Sequence, residues 1–169
     1  MQESPGQYTK RLLSYSRSKD PLRLQQSTPK ALARLIAPLN KKQLSRRPVR
    51  DKWSIAEILS HLADAELVIG YRIRLILTSN GTAIQAFDQD AWAQAFHYRR
   101  GDARISLETF RTLRESNLKV LKMVPRRLWQ NYGQHQERGN ESVEHLVNLV
   151  AGHDVNHLMQ VQAIAKGGR

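Results

Sequence analysis

Cysteine is absent from the 169 residues. That excludes disulfides, thiolate-bound zinc, iron–sulfur ligation and a thiol nucleophile together. Long apolar runs are missing as well: no stretch approaches the ~18 uncharged apolar residues of a membrane span. The first ten residues contain no apolar h-region, so no secretory signal is expected and a cytoplasmic location is. For the same reason the acceptor-like triplet Asn140-Glu-Ser142 is set aside. There is no G-x-S-x-G, no Walker loop and no G-x-G-x-x-G. Acidic residues are scarce, 15 against 27 lysines and arginines, for a net charge of +12.

The charge excess is local. Residues 1–52 carry net +10 and residues 53–169 net +2, with the densest run in Lys41-Lys42-Gln-Leu-Ser-Arg46-Arg47-Pro-Val-Arg50-Asp-Lys52. Such a cluster can bind phosphates through counterion release, or it can be a solvated surface that keeps the protein soluble. It has no aromatic residues for base stacking and no nucleic-acid-binding signature. A nucleic-acid partner is therefore not expected.

What is present is helical periodicity. The length suits one domain, here residues 1–169. Five of six prolines fall before residue 49, so residues 1–28 are expected to be a basic, irregular segment. Ser27-Thr28-Pro29 reads as a helix start, giving a helix over about 29–37. Ser54 and Glu57 have capping-box spacing, and apolar residues from Ile55 to Ile76 keep the helical period to about Thr78. Ser79-Asn80-Gly81 breaks it. A short helix is possible over Asp88–Ala95. Ser106 can cap a third long helix that stops near Pro125, and Ser142 can cap a last one that ends at Gly167-Gly168. Residues 126–132 are ambiguous, 133–140 read as loop, and no strand is evident. Four amphipathic segments bury one another best as an all-α bundle.

Histidine is the remaining ligand chemistry. His153 and His157 lie four apart on the last helix, hence on one face. They share that face with Leu146, Leu149, Val150 and Gln160. An inward His-x-x-x-His pair can chelate one ion, though no general-base Glu stands between the two here. His61 sits on the apolar stripe of the second long helix. Alone it reads as a hydrogen-bonded core residue. If the second and fourth helices are neighbours, one ion can take three nitrogens and keep positions open for water or substrate. Asp64, three residues after His61, could hold a ligand ring in place or pair with an arginine. Gln160 could orient a ligand or a water, or simply end the stripe. His145 is rotated off this face, and His97 and His135 are expected at the surface. Glu57 is better explained by capping than by catalysis.

Trp53-Ser-Ile-Ala-Glu57-Ile-Leu-Ser-His61-Leu-Ala-Asp-Ala-Glu66 and Gly152-His153-Asp-Val-Asn-His157-Leu-Met-Gln160-Val together resemble the DinB/YfiT-like superfamily. The resemblance covers roughly residues 20–166. It implies a four-helix bundle with one long crossover connection, often a homodimer. It also implies a divalent metal, commonly zinc or nickel with iron possible, on the residues matching His61, His153 and His157. Characterised relatives act as transferases or isomerases that use a low-molecular-weight thiol, and some members are described as hydrolases, which implies a small-molecule substrate. Asn156 departs from the family pattern, in which a further histidine often stands beside the last ligand; that bears on substrate handling. The alternative from another class is a non-catalytic stress-response module whose basic N-terminal segment contacts an acidic partner.

Overall fold

The computed structural model describes residues 4–167. Seven helices are present: α1 (Pro5–Ser16), α2 (Pro21–Ile36), α3 (Lys41–Ser45), α4 (Ile55–Thr78), α5 (Gln89–Ala95), α6 (Ala103–Met123) and α7 (Val143–Ala165). Strand β1 (Ala83–Ile84) follows α4, and β2 (Tyr132–His135) and β3 (Gly139–Ser142) lie between α6 and α7. The four long helices α2, α4, α6 and α7 form the bundle. Helix α4 packs on α6 and α7, and α2 packs on the same two. The chain therefore steps between diagonal partners from α2 to α4 and again from α6 to α7. β1 pairs parallel with β2, which pairs antiparallel with β3, so this small sheet carries the second diagonal step.

The N-terminal expectation is corrected. Residues 1–28 are not an irregular segment in their described part, because α1 and the first half of α2 occupy it. Proline interrupts a helix in its interior, yet Pro5 and Pro21 each stand at a helix start, where the missing N–H costs nothing. Ser4 accepts from the Gln7 backbone N–H, and Asp20 accepts from those of Leu22 and Arg23. Pro29 then sits inside α2. Helix α1 lies along α7, so closely that a Cβ on Gly152 would stand 1.9 Å from the Leu12 carbonyl oxygen. The third long helix is capped by Asp102 instead of Ser106. Residues 126–130 form a short 3-10 turn, and much of the expected 133–140 loop is the β2–β3 hairpin.

Other expectations match the coordinates. Ser54 and Glu57 make the reciprocal capping box at the start of α4, Asp88 caps α5, and Ser142 caps α7 by accepting from the His145 backbone N–H. One apolar cluster joins α2, α3 and the first half of α4 around Phe110 and Val161. A second joins the end of α4 to the small sheet and the start of α7. No helix among the described residues is long and apolar enough to cross a membrane.

Candidate metal centre

Helices α4 and α7 are neighbours, so the inward faces that carry His61 and the His153/His157 pair meet. His153 Nε2 is 3.0 Å from both His61 Nε2 and His157 Nε2. The three rings offer ligand atoms within 4.8 Å of one another. A tetrahedral ion with Zn–N bonds of ~2.0–2.1 Å places its nitrogens ~3.3 Å apart, so the spacing suits one ion.

The protonation logic of the trio points the same way. The Gln160 Oε1 oxygen lies 2.9 Å from His157 Nδ1. A ring proton there donates to it and leaves His157 Nε2 as a bare lone pair. A single proton on His153 Nε2 would then have to serve two acceptors at once, or two lone pairs would face each other. His61 Nδ1 is buried with no partner among the described residues. Burial, then mutual repulsion, holds His61 and His153 well below the usual imidazole range, and burial pushes His157 down to about 4 despite its bond to Gln160. At neutral pH all three are uncharged, which is the form that ligates metal. Three converging lone pairs with too few protons between them fit a cation.

Aromatic rings wall the cluster. The Trp53 and Phe87 ring centroids lie 5.1 Å and 6.2 Å from that of His61. Two cavities reach it. One of about 450 Å³ is lined by His61 and His153 and runs along α4 to Arg72. The other, of about 620 Å³, is lined by His157, Gln160 and Trp53.

The remaining sequence candidates separate. Gln160 touches a member of the trio as described. Asp64 does not: its Oδ2 accepts from the Tyr98 hydroxyl at 2.5 Å. The Tyr98 hydroxyl takes this carboxylate, and among the described residues it contacts neither the trio nor an arginine. Asn156 Oδ1 accepts from Arg11 Nη1 of α1 at 2.8 Å, so the residue that departs from the family pattern helps dock the N-terminal helix. His97 is exposed, as expected. His145 is off the cluster, its Nε2 lying 3.8 Å from Glu141 Oε1. His135 is a correction: it is buried, because alternate residues of β2 turn inward and His135 shares the inner side with Gly133.

Sequence reasoning missed a buried polar group beside the histidines. Arg114 of α6 is 2% exposed. It donates to Asp154 Oδ2 and Oδ1 at 2.5 and 3.0 Å, to Glu66 Oε2 at 2.8 Å and to the Gln25 carbonyl at 3.0 Å. Asn117 Nδ2 donates to Glu66 Oε1 at 2.8 Å. Glu66 and Asp154 were visible inside the two histidine motifs. A polar residue on the apolar face of α6 was the available signal for their partner.

The DinB superfamily model matches residues 24–161. Two proteins of Oceanobacillus iheyensis, each named "Putative metal-dependent hydrolase", are 24% identical over 82% of this chain and 80% of theirs, and 28% identical over 78% and 75%. The Bacillus subtilis protein YfiT, under the same name, is 22% identical over 95% of this chain and 92% of its own. The solved structure of YfiT, described as a four-helix bundle of unusual topology, superposes with a TM-score of 0.81 at 19% identity, covering 96% of this chain and 88% of that one.

Proposed function

We propose, from the premise that this chain belongs to the DinB superfamily, that it is a metal-dependent enzyme acting on a small molecule, with His61, His153 and His157 as the ligands. The observation that carries this reading is the convergence of three uncharged imidazole Nε2 atoms with too few protons to satisfy one another. Names of the relatives support a hydrolase. The all-histidine donor set suits zinc or nickel, and iron after them. A divalent ion there would supply Lewis acidity and lower the pKa of a water or low-molecular-weight thiol that reaches it. Three protein ligands leave room for such a group.

The chain's own residues prepare the site. The apolar surroundings of α4 and α7 keep the imidazoles unprotonated. Gln160 holds the His157 proton on Nδ1 and so directs Nε2 inward. Trp53 and Phe87 shield His61 from bulk water, and the two cavities admit substrate to the cluster.

Metal analysis of the purified protein tests the proposal. The wild type should carry zinc or nickel at about one ion per chain, and His61→Ala, His153→Ala and His157→Ala should each lose most of it. Unchanged metal content in all three variants would overturn the reading. Ester and amide hydrolysis, assayed beside thiol addition to an electrophile, then separates the hydrolase from the transferase.

A further inference from the structure

Arg72 lies eleven residues after His61 on α4. At 100° per residue that is about three turns and nearly the same face, about 16 Å further along the axis. It lines the cavity that His61 and His153 also line. Arg72 is 5% exposed, yet its guanidinium has one protein acceptor among the described residues, the Gln85 carbonyl. A guanidinium carries five N–H donors and stays charged. The other Arg72 nitrogens are not among the buried atoms without a partner, so they are open to the cavity and can be reached from it.

The acidic groups nearby are already engaged. Arg138 donates to both oxygens of Glu141, at 2.7 and 3.0 Å. Arg114 holds Glu66 and Asp154. Asp88 accepts from two backbone N–H groups at the start of α5. Burial and the neighbouring Arg138 cation both pull the Arg72 pKa down, with Glu141 opposing them. Arg72 is thus a buried positive group whose spare donors lack an anion.

We propose that Arg72 binds the carboxylate of the substrate, which is an amphipathic organic acid with its reacting end at the histidines. This rests on the metal-site reading above. Val68, Ile69 and Phe87 line the same cavity and suit an apolar middle. The chain itself measures the length. Gln85, bonded to Arg72, is two residues from Phe87, which stacks on His61. Two residues span at most about 7 Å, and the Phe87 and His61 ring centroids are 6.2 Å apart. With the guanidinium at Gln85 and Phe87 against His61, the substrate bridges at most the ~16 Å of axial rise between the two α4 positions.

Calorimetric titration of the zinc-loaded protein tests this. The probes are ω-mercaptoalkanoates from mercaptopropanoate to mercaptoundecanoate, each beside the mercaptoalcohol of equal length. The wild type should prefer the acid about tenfold at intermediate length, as charge-assisted hydrogen bonds would provide. Mercaptopropanoate is too short and should show no such preference. Arg72→Met should abolish the preference at unchanged zinc content, and Arg72→Lys should keep part of it. Equal affinity of acid and alcohol at every length in the wild type overturns the proposal, and needs no variant to fold. A preference that survives Arg72→Met overturns it too, since the zinc itself would then be its source. Failure of the wild type to hold either zinc or nickel removes the metal-site reading and this substrate orientation with it. Zinc retention without acid preference removes this inference alone.

Discussion

Two polar groups are buried side by side on α4 and α7, and they are built on opposite principles. His153 and Asp154 are adjacent in sequence, and His61 and Glu66 lie five residues apart on one helix. Yet Asp154 and Glu66 belong to a group that closes on itself. Their carboxylates converge on Arg114, Asn117 fills a remaining oxygen of Glu66, and the Arg114 guanidinium also lies 4.7 Å from the Phe110 ring centroid. Within that group only Arg114 Nε is without an acceptor. The histidine group has the reverse character: three acceptors converge and no set of protons serves them all. A buried polar group that satisfies itself supports the fold, whereas one that converges without satisfaction is shaped for something it does not contain. The closed group also fixes the α4–α7 spacing on which the open one depends.

The largest test of this contrast is removal of the central cation. Arg114→Met leaves two carboxylates buried without a counter-charge and should cost about 3–5 kcal/mol, read as a fall in the denaturant midpoint. His153→Phe, in the metal-free protein, should cost far less, because it replaces a poorly satisfied imidazole with a ring. Similar losses for the two variants would break the distinction between closed and open groups. With zinc present the order should narrow: ion binding stabilises the wild type in proportion to its occupancy, and His153→Phe forfeits that.

A second test works from behind the open group. Gln160→Ala leaves all three ligands in place but frees the His157 ring to turn and its proton to move to Nε2. Outer partners of ligating histidines are commonly worth 10–100-fold in metal affinity. A loss of about tenfold is expected in a competition titration against a chelator, with little change in metal-free stability. Asp64→Asn serves as the contrast, since its carboxylate meets Tyr98 and none of the trio. It should leave metal affinity unchanged.

How much of this was legible in the sequence follows from where the partners lie. The Ser54–Glu57 box and the Ser142 cap are signals a few residues long, and both are where the sequence places them. The trio was legible because periodicity fixes which face a residue occupies, and a bundle leaves few choices of neighbour for that face. The role of Asp64 is not legible from spacing: a position three residues from a ligand can face it, as Gln160 faces His157, but here the Tyr98 hydroxyl from a distant segment takes the carboxylate. Arg114 offers one signal, a polar residue on the apolar face of α6, but its partners come from α2, α4 and α7 and no local pattern ties them together. Helix α1 and the first half of α2 are hidden by proline, whose meaning depends on position. At the first turn it starts a helix, and only Ser4 and Asp20 just upstream distinguish that from a break.

The smallest effect belongs to a third group, which is closed like that of Arg114 but sits at the edge of the fold. Glu57 caps α4 by accepting from the Ser54 N–H at 2.8 Å, and it also accepts from Arg47 Nε at 3.0 Å. The Arg47 side chain is 32% exposed, so solvent screens the pair and the ion pair itself adds little. Burial raises the Glu57 pKa, but the bonds from Arg47 and Ser54 outweigh it and leave the folded carboxyl below its ordinary value. A lowered folded pKa means the unfolded chain takes up the proton first. The stabilisation is therefore complete above the unfolded value near 4.5 and is lost as pH falls through the lower folded value. Glu57→Gln should cost about 1 kcal/mol at neutral pH, the usual worth of a cap. The gap between variant and wild type in denaturant midpoint should close as pH falls from about 5 toward 3. A gap that stays constant over that range would mean the carboxylate charge contributes nothing, and that closure in this molecule rests on hydrogen-bond count alone.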